Sequence, residues 1–164
     1  MARERHPAAV VELPNSLEIV ITRAFNAPIG LVFDTWTKVD RAELALAEGE
    51  KVKVFAVDLR VGGNYHTVFV GNDGTEASFR GTFLAVERPT RIVATWHYNG
   101  WPDAEAVESI ELHEVHAGTT LTYRLAFRDQ LGRDHMTDYG GLLANIDNME
   151  GHLLSLLDPP GTSE

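Results

Sequence analysis

The chain contains no cysteine, so disulfides, thiolate metal sites and thiol catalysis are excluded, and a reducing compartment is the expected setting. Basic residues are also scarce: 14 Lys and Arg stand against 24 Asp and Glu, a formal net charge of -10. A polyanion meets repulsion from such a chain wherever no local basic patch offsets it. Arg3 and Arg5 share their stretch with Glu4, and the other cations are scattered singly, which argues against nucleic acid as a partner. No uncharged apolar run approaches the roughly 18 residues of a membrane span, and Met1 to Pro14 hold no export-signal core. These absences predict a cytoplasmic protein that does not insert into a membrane. A Gly-x-Ser-x-Gly elbow, a phosphate loop and a dinucleotide fingerprint are also missing.

What is present is the composition of one globular unit: 164 residues, 44% hydrophobic, 23% charged and 9% aromatic. A chain of this size buries roughly 70% of its unfolded surface, enough for one core. Residues 1–16 mix charge with Pro7, Pro14 and Asn15 without a period, and residues 158–164 read Asp-Pro-Pro-Gly-Thr-Ser-Glu. Both stretches are expected to be flexible tails around a single domain, 17–157.

Inside that domain the apolar period changes twice. Leu17 to Phe25 alternates at period two and is rich in β-branched residues, predicting a strand. Asn26-Ala27-Pro28 then starts a short helix carrying Leu31, Val32, Thr35 and Trp36, and Asp40 is placed to cap a second over Arg41 to Ala47. From Lys51 the pattern is again that of strands: Val52 to Val57, Tyr65 to Val70, Phe79 to Val86, Arg91 to Tyr98, Val107 to Val115 and Thr119 to Phe127. Gly62-Gly63, Gly71-Asn72-Asp73-Gly74, Arg88-Pro89-Thr90 and His116-Ala117-Gly118 punctuate them. After Gly132, Met136, Tyr139, Leu143, Ile146, Met149, Leu153 and Leu157 fall at helical spacing. They predict one helix of about six turns, N-capped by Asp134, with an apolar stripe for a sheet to cover.

Strand, two short helices, six antiparallel strands and a long C-terminal helix make an α+β helix-grip order. Particular stretches carry a closer likeness: Arg23-Ala24-Phe25-Asn26-Ala27-Pro28 with Val32-Phe33 and Trp36, then Asp58-Leu59-Arg60-Val61-Gly62-Gly63-Asn64-Tyr65. Gly81-Thr82-Phe83 with Glu87-Arg88-Pro89, Ile92-Val93-Ala94-Thr95-Trp96 and Gly118-Thr119-Thr120-Leu121-Thr122 continue it. In these the chain resembles the family named for the activator of heat-shock-protein-90 ATPase, within the START-like and Bet v-like superfamily. The resemblance spans about residues 17–157 and implies a curved antiparallel sheet wrapped around the long helix, enclosing an apolar cavity. Two departures fall at cavity-lining positions of relatives: the second helix, Val39 to Glu48, lacks a tryptophan, and Leu142 stands where a Gly-Trp tryptophan is usual.

The superfamily hosts carriers, cyclases, receptors and co-chaperone fragments on one scaffold, so the resemblance implies a place rather than a reaction. Aromatic side chains directed towards the helix would line that place, with hydroxyl and indole groups as the few polar contacts. The candidate cavity residues are Phe33, Trp36, Tyr65, Phe69, Phe83, Trp96, Tyr98, Tyr123, Leu142 and Ile146, with Trp96 facing the long helix near Leu142 or Ile146. His66 and His97 are out of step with Tyr65 and Trp96 and should face away. His113 and His116 sit at a strand end and turn, without helical or cysteine support for a metal. Glu108 and Glu111 point to opposite faces and cannot pair, and Asp58 with Arg60 reads as a structural ion pair.

The expected function is therefore non-catalytic binding of a hydrophobic or aromatic small molecule, with no cofactor. The alternatives are a cyclase- or hydrolase-like enzyme using cavity tyrosines and an interaction module acting on a chaperone or forming a homodimer. With only some 16 residues before the first strand, the additional N-terminal domain of full-length co-chaperones is not expected, which disfavours the chaperone role.

Overall fold

The computed structural model describes residues 9–38, 49–100, 105–116, 118–136 and 140–157. The period-two stretches form an eight-stranded sheet: β1 (Val10–Glu12), β2 (Glu18–Phe25), β3 (Lys51–Val57), β4 (Asn64–Val70), β5 (Glu76–Glu87), β6 (Arg91–Tyr98), β7 (Glu105–Val115) and β8 (Gly118–Phe127). The spatial order is β1-β2-β8-β7-β6-β5-β4-β3, with every pair antiparallel. Strands β3 to β8 follow one another as hairpins, and β2 joins at the far side, from Glu18 opposite Ala126 to Phe25 opposite Thr119. Register irregularities between Val52 and Val54 and between Phe83 and Ala85 interrupt the ladder, a device that bends a sheet. The result is one curved, open antiparallel sheet with few helices, an α+β architecture.

Val10–Glu12, within the stretch expected to be a tail, pair with Thr22 to Val20. The link behind them is tied down as well. Asn15 Oδ1 accepts hydrogen bonds from the Leu17 and Glu18 amides, and the Asn15 carbonyl accepts one from Arg133 Nη1 at 2.7 Å.

Helix α1 (Ile29–Trp36) starts at Pro28, which is the N-cap itself, with φ -63 and no capping side-chain bond. It turns Val32, Phe33, Thr35 and Trp36 inward and packs on β7 and β8. The helix expected over Arg41 to Ala47 lies outside the described residues, as do 158–164.

The single C-terminal helix expected from Asp134 is described as two segments, α2 (Gln130–Met136) and α3 (Gly140–Leu157), with 137–139 outside the described residues. Asp134 is not the cap. Asp129 takes that role, its Oδ1 accepting the Gly132 amide at 2.8 Å, while Asp134, inside α2, pairs with Arg133. An N-cap carboxylate satisfies an amide three residues on, which Asp129 can do from before the first turn and Asp134 cannot. Along α3, Ile146, Met149 and Leu153 form a buried stripe, and the helix packs against β2 and α1.

Candidate functional site

Strand alternation gives the sheet an inner face, the one α1 covers. Across its middle it carries Ile21, Tyr123, Ile110 and Ile92 in register, then Leu125, Glu108, Ala94 and Phe83 one row along. Tyr65, Thr67, Phe69, Phe79, Gly81, Trp96 and Tyr98 continue it across β4–β6. His66, Arg80 and His97 line up on the opposite face, as expected.

Among the described residues, the rings meet in three sets. Trp36 lies 5.7 Å from Tyr123, and Tyr65 lies 5.7 Å from Phe83. The largest set runs from Phe69 to Phe79 at 6.0 Å and from Phe79 to Tyr98, stacked at 4.9 Å. It continues through Trp96, which meets Phe127 edge-on at 5.7 Å. Offset and edge-on arrangements suit the ring quadrupoles. Gly81 makes part of this possible, since a Cβ there would stand 1.8 Å from the Thr95 carbonyl oxygen and 2.7 Å from Tyr65 Cε1. The bare backbone lets the Tyr65 ring lie across β5, where its hydroxyl donates to the Thr95 carbonyl at 3.1 Å.

One carboxylate stands among these rings. Glu108 accepts a hydrogen bond from the Tyr123 hydroxyl at 2.5 Å, with Ala94 and Leu125 directly across on the neighbouring strands. Glu111 projects from the other face, exposed, near His113 at 3.8 Å. Arg23, buried on the same face, donates to the Ala24 carbonyl at 2.9 Å and lies over the Phe25 ring. Asp58 and Arg60 form the ion pair read from the sequence, exposed to solvent. No three-residue group able to hold a metal occurs among the described residues.

The sequence-chosen residues are divided by depth. Phe33, Tyr123 and Ile146 are fully buried and Trp36, Phe83 and Trp96 nearly so, whereas Tyr65, Phe69 and Tyr98 are half-buried. Phe33 packs in the core under Arg88, whose guanidinium carbon sits 4.8 Å above the ring. The side chain of Leu142 lies outside the described residues, so the placing of Trp96 against it does too. Glu108, Phe79, Phe127 and Arg23 were missed. All four were in phase with chosen or apolar neighbours, Glu108 with Ile110 and Leu112, Phe79 with Phe83, Phe127 with Tyr123, and Arg23 with Ile19 and Ile21. Away from the site, hydrogen bonds from the Thr75 amide and hydroxyl hold the Asp73 carboxyl below its ordinary pKa.

An open antiparallel sheet with its ring-lined face turned to helices is the architecture of START-type domains. Residues 26–153 match the family described as "Activator of Hsp90 ATPase homolog 1-like protein", and the chain belongs to that family. Solved structures share the fold. Protein Ms6760 of Mycobacterium smegmatis is 20% identical with a TM-score of 0.76, covering 90% of this chain and 97% of its own. A protein of Rhodobacter sphaeroides is 18% identical with a TM-score of 0.81, covering 90% and 99%. Protein NE0264 of Nitrosomonas europaea is 22% identical with a TM-score of 0.73, covering 89% and 99%. Nothing among the curated proteins matches the chain.

Proposed function

We propose that the inner face binds a small hydrophobic or aromatic molecule without transforming it, in a domain of residues 17–157 whose C-terminal helical segments act as the grip. The observation that carries this is the half-buried state of Tyr65, Phe69, Phe79 and Tyr98 on the face that elsewhere makes the core. Large rings left partly in water beside a packed core offer apolar area that a ligand can cover, and ligand pockets are lined this way, with few polar groups. The contacts proposed are the half-buried residues among those chosen from the sequence, Tyr65, Phe69 and Tyr98, with Trp96 at their edge and Phe79 and Phe127 added. A cytoplasmic location fits the lack of cysteine, and among the described residues no helix is long and apolar enough to cross a membrane.

The test is thermal unfolding with a panel of lipids, polyketides and aromatic compounds. A ligand that binds only the folded state raises the midpoint by mass action, so at least one class should shift it, and a flat response across the panel defeats the proposal. One observation supports a second reading, that of an enzyme polarising a carbonyl: the Tyr123 hydroxyl faces a carboxylate that can hold or accept its proton. Turnover of any panel compound that falls in Tyr123→Phe while folding persists would favour it.

A further inference from the structure

We infer that the ligand is a neutral molecule whose ring-bearing apolar body carries one hydrogen-bonding oxygen, and that the Thr67 hydroxyl takes that oxygen; this rests on the binding function proposed above. Thr67 is on the inner face, at the centre of the half-buried rings. The register sets it opposite Phe55 on β3 and opposite Phe79 on β5, and Tyr65 and Phe69 stand before and after it on the same face of β4. All five residues are half-buried. Phe69 and Phe79 meet at 6.0 Å, and Tyr98 stacks on Phe79 at 4.9 Å, so the floor around the hydroxyl is apolar.

The fold does not use that hydroxyl. The Tyr65 hydroxyl is committed to the Thr95 carbonyl at 3.1 Å, whereas the Thr67 hydroxyl donates to no described residue and accepts from none. Half-buried, it is left to water. A molecule that covers the surrounding rings displaces that water, and the hydroxyl is then costly unless the molecule itself replaces the lost bond. A carbonyl or hydroxyl oxygen can do so, since a threonine hydroxyl both donates and accepts. Valine has nearly the same shape and would impose no such demand.

The surroundings do not suit a charge. Every residue that the register places on the inner face of β3 to β6 is uncharged, with His66, Arg80 and His97 on the opposite face. Lys53, at the bulge of β3, is turned to Glu76 at 2.6 Å. Among the described residues of the sheet, the inner-face charges are Glu108 on β7 and Arg23 on β2, both beyond β6 in the strand order. Glu108 accepts from Tyr123, and Arg23 donates to the Ala24 carbonyl. An ammonium or carboxylate group laid over Thr67 would lose hydration without meeting an opposite charge.

The test uses the full chain and four probes that share a phenylbutyl body: the ketone benzylacetone, butylbenzene, phenylbutylamine and phenylbutyrate, titrated by calorimetry and tryptophan fluorescence. The ketone should bind more tightly than either ion. Thr67→Val removes the hydroxyl and keeps a residue suited to a strand. It should weaken the ketone about fivefold, the scale of one hydrogen bond between neutral groups, and leave butylbenzene bound no less tightly. Thr67→Ser keeps the hydroxyl and should keep the ketone's affinity; should Thr67→Val fail to fold, Thr67→Ala compared with Thr67→Ser carries the same test. Thr122→Val makes the change on the outer face of β8 and should not alter ketone binding. If the ketone's affinity survives loss of the Thr67 hydroxyl, if ketone and butylbenzene weaken alike, if either ion binds more tightly than the ketone, or if only panel compounds bind, the inference falls and the binding function stands. If no probe and no panel compound binds, both fall.

Discussion

Phe33 on α1 and Tyr123 on β8 are sealed from water, while Phe69, Phe79 and Tyr98 across β4–β6 remain half-buried on the same inner face. The β4–β6 side is the richer in rings, with Tyr65, Phe69, Phe79, Phe83, Trp96 and Tyr98 against Phe25, Tyr123 and Phe127 on β2 and β8 and Phe33 and Trp36 on α1. The two sides also differ in what lies over them. Helix α1 rests on β7 and β8, α2 on β8, and α3 on β2 and α1, so among the described residues the helical cover concentrates over one side of the sheet. The covered side is a core whose rings stabilise the fold. The other keeps apolar area in reserve, which is why it carries the binding proposal.

The sharpest way to break this comparison is to truncate one phenylalanine from each region. Phe33→Ala should cost about 3 to 5 kcal/mol, the usual loss for a fully buried phenylalanine and the cavity it leaves. Phe69→Ala should cost about 1 kcal/mol, near the centre of point-mutant effects, and weaken ligand binding. Denaturant unfolding measures both, and equal losses would mean that the two sides are one continuous core.

Gly81→Ala comes next. A methyl group there meets the Thr95 carbonyl and the Tyr65 ring, and overpacking of this kind costs about 1 to 3 kcal/mol. Loss of the Tyr65 to Thr95 hydrogen bond should accompany it, seen as a change in the tyrosine near-ultraviolet signal. An unchanged unfolding midpoint would show that the Tyr65 ring is free to move aside.

Trp96 joins the two regions, since it is nearly buried and touches both Phe127 and Phe79. Trp96→Phe should cost only about 1 kcal/mol in urea unfolding yet alter ligand affinity and the fluorescence change on binding. A loss of several kcal/mol with binding intact per folded molecule would assign Trp96 to the core alone.

Much of the fold was legible because a strand writes its two faces into the chain at period two. Six of the strands, β3 to β8, follow the predicted order, and the phase that turned His66 and His97 away from Tyr65 and Trp96 holds in the structure. Asp129 and Asp134 are both residues that can cap a helix, and the sequence pattern favours Asp134 because it lies nearer the apolar stripe. Glu108 is in phase with Ile110 and Leu112, but its contact with the Tyr123 hydroxyl crosses to another strand and leaves no mark in the local pattern. Val10–Glu12 gave too short a pattern to be read as a strand, and only pairing with β2 makes it one.

By itself the sequence determined the element types and which residues share a face, since both follow from local backbone geometry. The tertiary structure alone decided how deep each of those residues lies and which ones meet. Depth depends on where the helices settle over the sheet, and the Glu108–Tyr123 contact exists because the β7–β8 register sets Ile110 opposite Tyr123, leaving Glu108 one step diagonal to it.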